Sequence, residues 1–70
     1  SPQQYLINYR LEKARNLLKK SNLSISEISE RIGYSDPLYF SKLFKKYYNI
    51  SPTEYRTQIE ELVRASKKGE

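Results

Sequence analysis

The sequence contains no cysteine, histidine, methionine or tryptophan, and only two glycines among its 70 residues. Without cysteine there is no disulfide, and without cysteine or histidine the usual zinc ligands are missing. A chain this short makes one domain at most and buries only about 60% of the surface its unfolded form exposes. With no staple, its stability has to come from close helix packing, helped by neighbouring segments outside these residues. The lack of cysteine fits a reducing cytoplasm. The lack of methionine, even at position 1, reads as a fragment of a longer protein. No run approaches the roughly 18 apolar residues of a membrane span, and no signal-peptide core is visible. There is also no glycine-rich phosphate loop and no carboxylate pair spaced for acid–base work. Too small to enclose a substrate pocket, the chain is expected to be neither an enzyme nor a cofactor binder.

What is present is a basic excess, +5 overall, unevenly distributed. Residues 1–23 carry Arg10, Lys13, Arg15, Lys19 and Lys20 against Glu12 alone, whereas residues 51–70 are balanced. The middle segment is polarised, with Glu27, Glu30 and Asp36 early and Lys42, Lys45 and Lys46 late. A basic balance of this kind points to a polyanionic partner.

Caps and periodicity predict four helices and no strand, an all-α fold. Ser1-Pro2-Gln3-Gln4 reads as a helix start with a capping box. Ile7, Leu11, Ala14 and Leu18 then form one stripe, flanked by Tyr5, Leu6 and Leu17, and the helix ends near Lys20. Ser24-Ile25-Ser26-Glu27 is a second capping box, opening a short helix with Ile25, Ile28 and Ile32 inward and Gly33 as its stop. Ser35-Asp36-Pro37 starts a third helix with Phe40, Leu43, Phe44 and Tyr47 inward and Asn49 as a left-handed terminator. Ser51-Pro52-Thr53-Glu54 is a third capping box, and Tyr55, Ile59, Leu62 and Val63 continue a fourth helix. The tail, residues 67–70, is expected to fray. Ser1-Pro2-x-Gln4-Tyr5 echoes Ser51-Pro52-x-Glu54-Tyr55. This is either two good helix starts or the trace of a duplicated unit.

Residues 25–47 meet the requirements of a tight helix-turn-helix. A short helix with an apolar inner side closes on a glycine turn, and a second helix begins a few residues later with a polar, basic outer face. On that helix Leu38, Ser41, Lys42 and Lys45 are placed roughly opposite Phe40 and Phe44. Such a helix enters a major groove with its early residues near base edges and its lysines near phosphates. Phe40, Phe44 and Tyr39 read as core or core-edge residues, and Tyr47 and Tyr48 as cover for the core edge.

At these residues the chain resembles the AraC/XylS-type transcription regulators. The resemblance rests on Ser1-Pro2-x-x-Tyr5-Leu6, Arg10-Leu11-x-x-Ala14-x-x-Leu17-Leu18, Ile25-x-Glu27-Ile28, Ile32-Gly33-Tyr34-x-Asp36, Tyr39-Phe40-Ser41, Phe44-Lys45-Lys46 and Ser51-Pro52-x-x-Tyr55-Arg56. It implies a homeodomain-like tri-helical unit preceded by a long linker helix. Residues 1–23 would join two helix-turn-helix units, and residues 24–66 would form the second, with a recognition helix at about 37–48. It further implies that Arg10 is partly structural, its stem packed and its head paired. Four positions depart from the family's habit. Ser29 stands where alanine is common, and is tolerable if its hydroxyl bonds back to the preceding turn. Leu38 replaces serine, Lys42 replaces arginine, and Asn49 replaces glycine. Lysine lacks the planar fork that arginine offers to guanine.

The expected site is therefore Ser35, Asp36, Pro37, Leu38, Ser41, Lys42, Lys45 and Lys46 on double-stranded DNA. Asp36 would cap the recognition helix and Pro37 start it, Ser41 and Lys42 would face base edges, and Lys45 and Lys46 would hold phosphates. Leu38 either touches a thymine methyl or is simply exposed. The basic residues of the first helix are either solvated or lie along the DNA backbone. A rival reading turns the same lysines toward an acidic surface of RNA polymerase. Membrane binding is disfavoured, because membrane-active helices need no capping boxes or glycine punctuation. A longer protein would have room to form a homodimer through a domain outside these residues.

Overall fold

The computed structural model describes the backbone of residues 1–68 and the side chains of residues 1–66. It consists of four helices, α1 (Pro2–Lys20), α2 (Ile25–Arg31), α3 (Pro37–Tyr48) and α4 (Pro52–Lys68). Each starts at a polar side chain that satisfies a backbone N–H lacking an intrahelical partner. At α2 the Ser24 hydroxyl accepts from Glu27 N at 3.1 Å, and the Glu27 carboxylate accepts from Ser24 N at 3.0 Å. Ser51 and Glu54 repeat the exchange at α4, both distances being 3.1 Å. The capping box expected at α1 is half made: Ser1 Oγ accepts from Gln4 N at 3.3 Å, and the bond described there is that one alone. The neutral amide of Gln4 lacks the charge that draws Glu27 and Glu54 to the positive helix end.

The helix stops follow from the chain as well. α2 closes on a Schellman turn: Gly33 N donates to Glu30 O and Tyr34 N to Ser29 O. Asn49 closes α3 in the left-handed region, φ 67°, with its N–H on Lys45 O at 2.8 Å. α1 ends on Ser21, whose hydroxyl donates back to Leu17 O at 2.7 Å and accepts from Leu23 N. α4 runs through Lys68, two residues into the segment expected to fray, since the first helix-breaking residue there is Gly69. Gly69 and Glu70 lie outside the described residues.

Leu11, Ala14 and Leu18 from α1, Ile28 from α2, Ile32 at its end, and Phe40 and Phe44 from α3 form the core. Ala14, fully buried, lets the other helices approach α1 closely. Phe44 lies at the hub of an aromatic group, with ring centroids 5.9 Å from Phe40, 4.8 Å from Tyr48 and 5.8 Å from Tyr55. These edge-on and tilted contacts suit aromatic quadrupoles.

Two apolar stretches do not join the core. Tyr5, Leu6 and Tyr9 on α1 are exposed, and so are Leu62 and Val63 on α4, although both stripes continue the right periodicity. The three-helix core ends before either helix does. The molecule is accordingly drawn out, 45 × 22 × 16 Å. No helix among the described residues is long and apolar enough to cross a membrane.

Arg56 fastens α4 to the end of α1. Its Nε donates to Leu18 O at 3.3 Å, Nη1 to Leu23 O at 2.6 Å and Nη2 to Ser21 O at 3.2 Å. One planar fork thus satisfies three carbonyls where α1 has run out of partners. Arg56→Ala is expected to lower the unfolding free energy by about 2 kcal/mol, read from urea melts, with Arg56→Lys recovering only part. The bond from the Ser24 backbone, and then that from its hydroxyl, hold the Glu27 carboxyl below its ordinary 4.5. Ser51 acts on Glu54 in the same way. Because both values are depressed in the folded state, their stabilisation is full above pH 4.5 and fades as pH falls through the lower folded values. Acid titration of helicity is expected to be flatter in a Glu27→Gln/Glu54→Gln variant, which keeps the acceptors but not the charges.

Candidate nucleic-acid interface

The side of α3 away from the core is built by elimination. Phe40 and Phe44 are fully buried, which at about 100° per residue turns Leu38, Lys42, Lys45 and Lys46 outward. All four are exposed. Ser41, expected among them, stands on the flank and is half-buried, because it follows Phe40 directly and lies nearer the core stripe than Lys42. Pro37 is half-buried in the first turn, and Ser35 is exposed just before it. Asp36 caps the helix, its carboxylate accepting from Leu38 N at 3.0 Å. The outer face is therefore polar in two senses, acidic at its beginning and basic over its second half.

Tyr39, expected at the core edge, is 51% exposed. It sits on the opposite flank from Ser41, with its ring edge-on to Tyr34 at 5.7 Å. The half-buried Tyr34 stacks in turn near Phe40, at 6.5 Å. The aromatic column therefore takes Tyr34 inside and leaves Tyr39 outside.

The direction of α3 depends on the turn before it. Gly33 has φ +100°, and a Cβ placed there would stand 3.1 Å from Arg10 Cζ and 3.3 Å from its Nη2. The Arg10 guanidinium lies flat over this turn and 5.1 Å from the centre of the Tyr34 ring. Its head thus stacks on an aromatic ring, where a polar pairing was expected. Ser29 is fully buried, and its hydroxyl donates forward to Tyr34 O at 2.6 Å. The expectation of a bond back into the preceding helical turn is corrected: the Schellman turn folds Tyr34 over the helix end and brings its carbonyl within reach. On α1, Lys13 lies 5.1 Å from the Tyr9 ring and Arg15 4.9 Å from the Tyr48 ring, while Lys19 and Lys20 are exposed in the last turn. Among the described residues no group of three or more His, Cys, Asp or Glu side chains is placed to hold a metal ion.

The family described as helix-turn-helix domain matches residues 1–58. The chain belongs to the AraC/XylS-type helix-turn-helix family of DNA-binding regulators. It is similar to the lactose operon transcription activator of Staphylococcus xylosus, 48% identical over 56 residues that make up 80% of this chain and 20% of that protein. It is also similar to the Msm operon regulatory protein of Streptococcus mutans, 42% identical over 60 residues, 86% of this chain and 22% of that protein. The chain thus spans about a fifth of the length of these relatives. Among solved structures, the C-terminal domain of the two-component response regulator yesN from Fusobacterium nucleatum aligns with TM-score 0.76 and 48% identity, over 77% of this chain and 52% of that one. A DNA-binding transcriptional dual regulator from Escherichia coli K-12 aligns with TM-score 0.84 and 31% identity, over 87% of this chain and 55% of that one.

Within this AraC/XylS-type domain, sequence reasoning left Arg56 without a role, and it expected Arg10 to be structural without finding its partner, the Gly33–Tyr34 turn. Arg56 followed Tyr55 in a recognised motif, but its acceptors are main-chain carbonyls, which leave no mark in a sequence. Arg10 touches a turn more than 20 residues away, a proximity that helix periodicity does not express. Gly33→Ala is expected to destabilise by about 1–3 kcal/mol, because it forces a side chain into a left-handed position. Ser29→Ala is expected to cost about 1 kcal/mol for the lost bond to Tyr34. In both, a lower urea midpoint with an unchanged slope would show a loss of stability without a change in the surface exposed on unfolding.

Proposed function

We propose that this chain is the second of two helix-turn-helix units in a longer, cytoplasmic bacterial transcription regulator, and that it binds duplex DNA sequence-specifically with α3 in the major groove. The observation that carries this reading is the uncovered outer face of α3, where Leu38, Lys42, Lys45 and Lys46 stand exposed on a helix whose opposite side is locked into the core. The relatives' names, an activator and an operon regulator, support the regulatory part.

In this arrangement Lys45 and Lys46, in the last turn of α3, meet phosphates at the groove wall, and Lys42 reaches a base edge or the adjoining phosphate. The half-buried flank position of Ser41 suits a hydroxyl bond to the backbone at the groove edge. Asp36 sets the start of the helix, and Ser35 and Pro37 shape its approach. Lys19 and Lys20 lie at the far end of α1 and serve as the contrast.

Anisotropy of a labelled random duplex tests the assignment. The native chain is expected to bind weakly, with Kd about 10⁻⁴ to 10⁻⁶ M at physiological salt and tighter below it. The Lys42→Ala/Lys45→Ala/Lys46→Ala variant is expected to bind more weakly and to lower the slope of log K against log salt by about one for each phosphate contact removed. A Lys19→Ala/Lys20→Ala control should retain most of its affinity. An unchanged slope in the triple variant would refute the placement. Crosslinking of the same lysines to RNA polymerase in the absence of DNA would favour the protein-contact reading instead.

A further inference from the structure

We infer that Leu38 is a specificity-determining residue that selects a thymine through its 5-methyl group. The inference rests on the major-groove reading above. Leu38 is 73% exposed on the first turn of α3. It shares the outward face with Lys42, one turn further on, and with Lys45. Lys42, Lys45 and Lys46 on that face are cationic, and Leu38 is its most exposed apolar side chain, with the ring of Tyr39 at its flank.

Three features of the structure place this side chain over bases and away from the phosphate backbone. Its own N–H is held by the Asp36 carboxylate at 3.0 Å, which fixes the first turn and the direction in which Cβ leaves it. The same carboxylate puts negative charge at the start of the helix and repels a phosphate there, whereas Lys45 and Lys46 draw phosphates to the other end. The helix is thereby tilted so that its acidic beginning faces the groove floor and its basic end the groove wall. On that floor the groups presented by G, C and A are hydrogen-bond donors and acceptors, and the thymine methyl is the one apolar group. A leucine, which can neither donate nor accept, is rewarded only by that methyl, and it desolvates the polar edge of any other base without compensation.

The test uses base analogues on duplexes selected by this chain from a random library, with anisotropy as the readout. At one selected thymine, replacement by deoxyuridine removes only the methyl and is expected to weaken binding by the native chain about fourfold. Replacement by 5-methylcytosine is expected to bind more tightly than cytosine at the same position. Leu38→Ala is expected to lose the difference between thymine and deoxyuridine, and Leu38→Met, which keeps an apolar reach, to retain part of it. Leu38 is exposed and alanine favours helix, so both variants should melt like the native chain. Tight duplex binding with equal affinity for thymine and deoxyuridine at every selected position would overturn this assignment alone, as would a Leu38→Ala variant that still distinguishes them. Failure of the native chain to bind any duplex would overturn the major-groove reading and this inference together.

Discussion

The left-handed turn at Gly33 is the constraint on which the outward face of α3 depends. At φ +100° it folds Tyr34 back over the end of α2, and three contacts then hold that fold: the Ser29 hydroxyl on the Tyr34 carbonyl, the Tyr34 ring against Phe40, and the Arg10 guanidinium over both glycine and ring. The absence of a side chain at Gly33 does two things at once. It permits the conformation, and it leaves the space in which Arg10 lies. A change at the turn would therefore rotate α3 and with it every residue proposed to meet DNA, without touching any of them.

A second clamp works at the other end of the domain. The Arg56 fork takes carbonyls of Leu18, Ser21 and Leu23, which ties α4 to the end of α1 and to the connection into α2. This suits a chain with no disulfide and, among the described residues, a core cluster of seven buried apolar side chains. Small domains with so little apolar burial need directional contacts to hold one arrangement. Here two arginines act this way on neutral partners, main-chain carbonyls and an aromatic ring. Neither of these two contacts depends on a carboxylate.

The outer face of α3 combines lysines suited to a polyanion with an exposed leucine that gains nothing from phosphates. The acidic cap at Asp36 and the lysines at 45 and 46 give the helix an electrical direction opposite to that of its own dipole. Such a direction favours one orientation in a groove over its reverse. In the proposed reading affinity and orientation come chiefly from the charged residues, and Leu38 near the helix start adds discrimination.

The helices, their starts and most of the core were legible because they follow from local rules. Ser24 and Glu27, Ser51 and Glu54, Pro37, Gly33 and Asn49 act within a few residues of themselves, and Leu11, Ala14, Leu18, Phe40 and Phe44 repeat with the period of a helix. By itself the sequence also determined that α3 would have a cationic outer face, since burying two phenylalanines four residues apart leaves Lys42, Lys45 and Lys46 nowhere else to point. Tertiary structure alone decided the rest. Tyr39 turned out, Ser41 moved to the flank, the Ser29 hydroxyl reached forward, and Leu62 and Val63 stayed exposed despite their spacing. The physical reason is common to all of these. Periodicity states which side of a helix is apolar, but how far along that helix a partner extends, and which carbonyl or ring a side chain meets, depends on elements distant in the chain.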